Sequence, residues 1–131
     1  MENEAKRAKR GIIIAFSVLV CILLVIAVIF FMYRSQHTFS QEKWLSNASE
    51  RYMIVDDMHE KHPLIGISED NVIALLGAED GDGQSSFKLS RDYFPPESTL
   101  VYYLGVDYMD DMWLIISTDN GTVTEYCIDV T

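Results

Sequence analysis

Two hydrophobic regimes divide the chain. From Ile12 to Met32 it runs through 21 residues without a charge, IIIAFSVLVCILLVIAVIFFM, and beyond Ser40 the apolar residues come as short stripes separated by polar punctuation. A helix of 21 residues rises about 31 Å, close to the hydrocarbon thickness of a bilayer. Its interior backbone groups are satisfied internally, as lipid requires. A buried helix of a soluble fold seldom stays apolar on all sides for so long. The pattern predicts one transmembrane helix near the N-terminus.

The stripes that follow predict a mixed domain. Ser40 is placed to cap a short turn, Gln41–Leu45, in which Trp44 and Leu45 read as packing residues. Asn47, with Glu50 three positions on, has the form of a capping box for a helix from Ala48 to about Glu60 that ends before Pro63. Ser68, followed by Glu69 and Asp70, opens a second helix with Val72, Ile73, Leu75 and Leu76 as its buried face and Gly77 as its C-terminal stop. Ala78–Gln84 is a loop by composition, Ser85–Leu89 a weak edge strand, and Phe94-Pro95-Pro96-Glu97 a rigid break. Three strands are then expected at Leu100–Gly105, Met112–Thr118 and Thr122–Val130, the first two joined by a longer acidic turn and the last two by Asn120-Gly121, a strong hairpin signal. The fold class is α+β: one transmembrane helix, then two helices packed on a three-stranded antiparallel sheet.

Alternation assigns the sheet faces. Tyr102, Leu104, Leu114, Ile116, Tyr126 and Ile128 are expected under the helices. Val101, Tyr103, Trp113 and Ile115 fall on the other face, which in a solvated antiparallel sheet is normally polar. These four form the candidate partner-binding face, since buried aromatics often carry binding energy. The competing expectation is that this face is covered within the chain, for instance by Phe39–Leu45.

Charge sets the orientation. Residues 1–10 hold Lys6, Arg7, Lys9 and Arg10 against Glu2 and Glu4, a net of +2; everything after Met32 holds six basic and eighteen acidic side chains, a net of −12. Basic flanks stay on the cytoplasmic side, so the N-terminus is expected inside. A cleaved signal peptide would have a shorter apolar core ending at a small-x-small site, whereas this run ends in Phe30-Phe31-Met32-Tyr33-Arg34. The expected organisation is a cytoplasmic basic tail at 1–10, a signal anchor at 11–33, a connector at 34–40 and an extracytoplasmic α+β domain at 41–131, attached to the cytoplasmic membrane as a single-pass protein. Such an acidic outer part is a poor match for nucleic acid. Cys21 lies within the apolar run and Cys127 in a strand outside it, so no internal disulfide is expected, while Cys127 can pair between chains if exposed.

The segment Gly66-Ile67-Ser68-Glu69-Asp70-Asn71-Val72-Ile73-Ala74-Leu75-Leu76-Gly77 resembles the signature of the SmpA/OmlA (BamE-like) family: Gly-x-Ser/Thr, a Val four residues later, then Leu-Gly. The Leu114-x-Ile116 strand, the Asp-Asn-Gly hairpin and Val123 extend the resemblance over roughly 49–130. Glu79 stands where the family usually has a proline. The unit is also similar to the repeats of β-lactamase inhibitor proteins. The resemblance implies two helices on a three-stranded antiparallel sheet, and a non-catalytic partner role in envelope assembly. Family members are typically lipoproteins, whereas this chain carries an apolar anchor, and no family binding residue maps onto it.

Signatures of catalytic or metal chemistry are sparse. His59-Glu60-Lys61-His62 lacks the His-Glu-x-x-His spacing of zinc proteases. Asp80-Gly81-Asp82-Gly83 has the opening of a calcium loop, but the twelfth position, which an EF-hand needs as Glu, is Arg91. Neither a nucleophile elbow nor a phosphate-binding glycine loop is present. The expectation is a non-enzyme without metal or cofactor, held in the bilayer through Ile12–Met32, with a protein partner outside the cytoplasm. The alternative is a sensing domain that binds calcium or a cationic ligand through its acidic loops, Asp80–Gly83 and Asp107–Asp111.

Overall fold

Capping and turn chemistry fixes the element boundaries. A computed structural model describes residues 1–80 and 94–130, and the chain divides into two units, Met1–Gln36 and His37–Thr131. The expected edge strand at 85–89 and the loop residues 81–84 lie outside the described residues.

The first unit is one helix, α1 (Glu2–Gln36), with no buried side chain. It is long and apolar enough to cross a membrane, a property that a signal sequence shares. The basic tail does not interrupt it: Ala, Lys, Arg and Glu are good helix formers, and Lys6 bonds Glu2 one turn back at 2.8 Å. At its other end the helix takes in Arg34–Gln36, while Phe39 is buried in the second unit. Of the expected connector over 34–40, residues 34–36 are thus helical and Phe39 is a core residue.

The second unit is α+β. Its elements are α2 (Gln41–Ser46), a 3-10 helix (Ala48–Met53), α3 (Val55–Lys61), α4 (Glu69–Leu76), a 3-10 turn (Pro96–Ser98), and strands β1 (Thr99–Asp107), β2 (Asp110–Asp119) and β3 (Thr122–Val130). The strands form one antiparallel sheet in the order β1-β2-β3. Ser40 Oγ accepts from the Lys43 amide and Ser68 Oγ from the Asn71 amide, both at 3.3 Å, so both serine caps form as expected. Asn47 does not cap: its side chain accepts from the Ser49 hydroxyl, and the expected 48–60 helix divides into a 3-10 stretch and α3. The β-branched pair Ile54-Val55 sits at the junction, where helix propensity is low.

A single apolar cluster joins the helices to one sheet face. Phe39, Trp44, Ile54, Val55, Met58, Leu64, Val72 and Leu76 pack on Leu100, Tyr102, Leu104, Leu114, Ile116 and Val123. Trp44 is fully buried, edge-on to Tyr102 with ring centroids 6.1 Å apart, whereas its neighbour Leu45 is 54% exposed. The helical layer covers β3 only in part: Val123 is buried, whereas Tyr126 and Ile128 remain exposed although they lie opposite Ile116 and Leu114.

Two bulges set which residues share a face. An extra residue at Leu104 carries Val106 opposite Asp111, onto the side of Tyr103 and Trp113. A second shift, between the Ser117–Glu125 and Thr118–Val123 pairs, lets Val123 and Tyr126 both face the helices although they are three apart. Gly105, beside the first bulge, has φ +136°, and a Cβ there would come 2.5 Å from the Ser49 carbonyl oxygen. Only glycine admits the 3-10 helix so close to β1.

The outer edge of β1 is sealed by side chains. Glu79 Oε2 accepts from the Val101 amide at 3.0 Å and Asp80 Oδ2 from the Tyr103 amide at 2.9 Å. The Asp80 amide donates to the Val101 carbonyl at 3.0 Å. Arg51, 5% exposed, donates to the Tyr103 and Trp44 carbonyls at 3.1 and 2.7 Å, pairs with Asp80, and lies over the Trp44 ring. Glu79 thus supplies a carboxylate that caps this edge.

Candidate interaction face

The outer face of the β1–β2 ribbon carries all four candidate residues as two cross-strand pairs. Val101 lies opposite Ile115 and Tyr103 opposite Trp113. Facing pairs on a pleated sheet are in side-chain contact, and the Tyr103 and Trp113 rings meet edge-on at 5.3 Å. The pairs differ in access. Val101 and Ile115 are buried, with Phe94 from the segment entering β1 packed against them, and Tyr103 and Trp113 are half-buried. The first pair is thus a small second core, and only the aromatic pair presents surface. The expected cover, Phe39–Leu45, is elsewhere: Phe39 and Trp44 belong to the helix-side core.

The aromatic pair continues toward the hairpin. The Tyr103 hydroxyl donates to Asp111 Oδ1 at 3.3 Å, and loss of hydration, followed by the Asp111 charge and this bond, raises its phenol above the ordinary value. Val106, brought to the same face by the bulge, is exposed. The strands pair up to Asp107–Asp110, so the turn is only Tyr108 and Met109 rather than the longer loop expected from 105 to 111. Tyr108 has φ +57° and is 98% exposed, and Met109 is 94% exposed. A bulky residue in the left-handed region is unusual. At the other hairpin the left-handed positions belong to Asn120 and Gly121, the residues that such a turn favours. Val106, Tyr108 and Met109 are therefore part of the face that sequence reasoning missed, because the aspartates around them dominate the composition of that stretch.

Across β2, Cys127 lies opposite Ile115 and Asp129 opposite Trp113, and Cys127 is exposed. His59 and His62 have different ring partners: His62 lies edge-on to Phe39, while His59 stacks on Tyr126 with centroids 4.1 Å apart. Both His59 ring nitrogens are shielded, with no hydrogen-bond partner among the described residues. Asp80, the first residue of the calcium-like sequence, is committed to Arg51 and the Tyr103 amide, and Asp82 lies outside the described residues. Among the described residues no group of three or more His, Cys, Asp or Glu side chains is gathered to hold a metal ion. What the face offers is contact chemistry: an aromatic pair, an apolar prong and carboxylates beside both. Comparison with family models, curated proteins and solved structures found no match to this chain.

Proposed function

We propose that the protein is a single-pass membrane protein, anchored by α1 with its N-terminus in the cytoplasm, whose outer unit is a non-catalytic protein-interaction or envelope-assembly module of the SmpA/OmlA (BamE-like) kind. The anchor reading draws on the uncharged run Ile12–Met32 and the four basic residues before it. The family reading draws on the Gly66–Gly77 signature together with the α+β architecture that follows it. The interaction reading rests above all on one observation: Tyr103 and Trp113 remain partly open on a sheet face whose neighbouring pair is sealed. Aromatic side chains that keep surface beside a packed centre are the usual anchors of protein interfaces.

The test is co-isolation of partners with the tagged full-length chain from detergent-solubilised membranes, comparing wild type with Trp113→Ala and Tyr103→Ala. A hot-spot truncation costs about 2 kcal/mol or more, roughly a thirtyfold loss of affinity. The expected outcome is loss of a discrete partner in both variants at unchanged protein level. Equal recovery of every partner by wild type and variants contradicts the reading.

A further inference from the structure

We infer that the β1–β2 hairpin tip is a docking prong for a polypeptide surface that presents an apolar pocket rimmed by Lys or Arg. The inference rests on the interaction reading above and names its partner chemistry. Tyr108 and Met109 are almost wholly exposed, and Val106 beside them is exposed as well. Asp107, Asp110 and Asp111 are also exposed, so three carboxylates surround the apolar tip. An apolar pocket removes the Tyr108 and Met109 side chains from water, and a basic rim meets the carboxylates without forcing them to be buried unpaired.

Charge decides among the occupants. An anionic lipid surface repels the three aspartates, and entry of the tip into headgroups brings them along. A second copy of the chain is also the wrong sign: beyond Met32 it holds six basic residues against eighteen acidic ones. Of those six, Arg51 is buried against Asp80 and Lys61 is paired with Asp57. Nucleic acid shares the sign problem. The backbone adds an independent mark, because Tyr108 holds φ +57° where Asn or Gly is the unstrained choice. Strain of this kind concentrates at ligand clamps and switch regions.

The experiment places a photoreactive residue in the full-length, membrane-embedded protein in cells: Tyr108→p-benzoylphenylalanine, with the same residue at Trp113 and, as a control, at exposed Glu60. The prong predicts a discrete adduct with another polypeptide from position 108 and none from position 60. Mass spectrometry should map it to a segment where Lys or Arg adjoins apolar residues. Adding Asp107→Asn, Asp110→Asn and Asp111→Asn, which keeps an acceptor for Tyr103 while removing charge, should lower the yield about tenfold. Adducts with lipid, adducts at twice the chain's own mass, a yield unchanged by the three asparagines, or no adduct from 108 each overturn the prong. Adducts from 113 without any from 108 overturn it while leaving the interaction reading standing, whereas silence at both positions sinks both.

Discussion

Arg51 sits in a polar-looking stretch, Asn47–Arg51, yet its guanidinium is nearly sealed, and its partners are a carboxylate 29 positions away and carbonyls of two other elements. Removing it leaves Asp80 and the Tyr103 carbonyl without their cation. Because Asp80 is one-third exposed, water recovers part of that loss, so Arg51→Ala should cost about 2–4 kcal/mol in urea unfolding. Arg51→Lys should restore little, since an ammonium cannot reach three separated acceptors and cover the Trp44 ring. His59 gives the second expectation at this scale. Burial, only partly offset by Asp56, holds its pKa below 6.5, so the folded unit keeps the ring neutral. The unfolded chain takes up the proton first. Stability should therefore fall as pH drops through 6.5 toward the lower folded value and then level off. The difference in urea midpoint between wild type and His59→Phe, which keeps the stack on Tyr126, should widen over that window, and a pH-independent difference contradicts this. The two serine caps and the Asn120-Gly121 turn were legible in sequence because each is local chemistry within about three residues. The roles of Arg51, Glu79 and Asp80 were not, because they depend on partners brought together only by the tertiary fold.

At the level of elements, strand identity followed from alternation, and face assignment held up to the bulges. There a single inserted residue reverses the side on which later residues emerge. Val106 is the consequence: alternation from Tyr102 and Leu104 places it with the helices, and the structure turns it outward. The expected 48–60 helix instead divides at Ile54-Val55, and its 3-10 half lies close against Gly105 of β1. Gly105→Ala should destabilise the second unit by about 2 kcal/mol or more, because both the positive φ and the Ser49 carbonyl oppose a Cβ, and a thermal melt checks it. The hairpin tip predicts the opposite sign. Tyr108→Asn puts a left-handed-tolerant residue at φ +57° and removes exposed apolar surface, so stability should rise by about 0.5–1 kcal/mol. The same change, made alongside a photoreactive residue at Trp113, should weaken partner capture. Gain of stability with loss of contact is the signature of a turn shaped for binding, and unchanged capture argues against that role for the tip.

For the molecule as a whole, the sequence bears on placement more than on chemistry. An uncharged run of 21 residues and an end-to-end charge contrast of +2 against −12 are bulk properties that tertiary structure does not rearrange. The candidate face was only half legible, because burial of Val101 and Ile115 depends on what lies over them, including Phe94. The account stands or falls on where the two units reside. The most direct measurement is labelling with a membrane-impermeant maleimide in intact cells or spheroplasts. It compares full-length chains carrying Ser46→Cys or Ala5→Cys on a background of Cys127→Ser, both positions being exposed. The prediction is that position 46 reacts before the membrane is opened, that position 5 reacts only afterwards, and that both fractionate with membranes at full chain length. Labelling of position 5 first, or a shortened second unit released into the soluble fraction, contradicts the anchor and with it the proposed role.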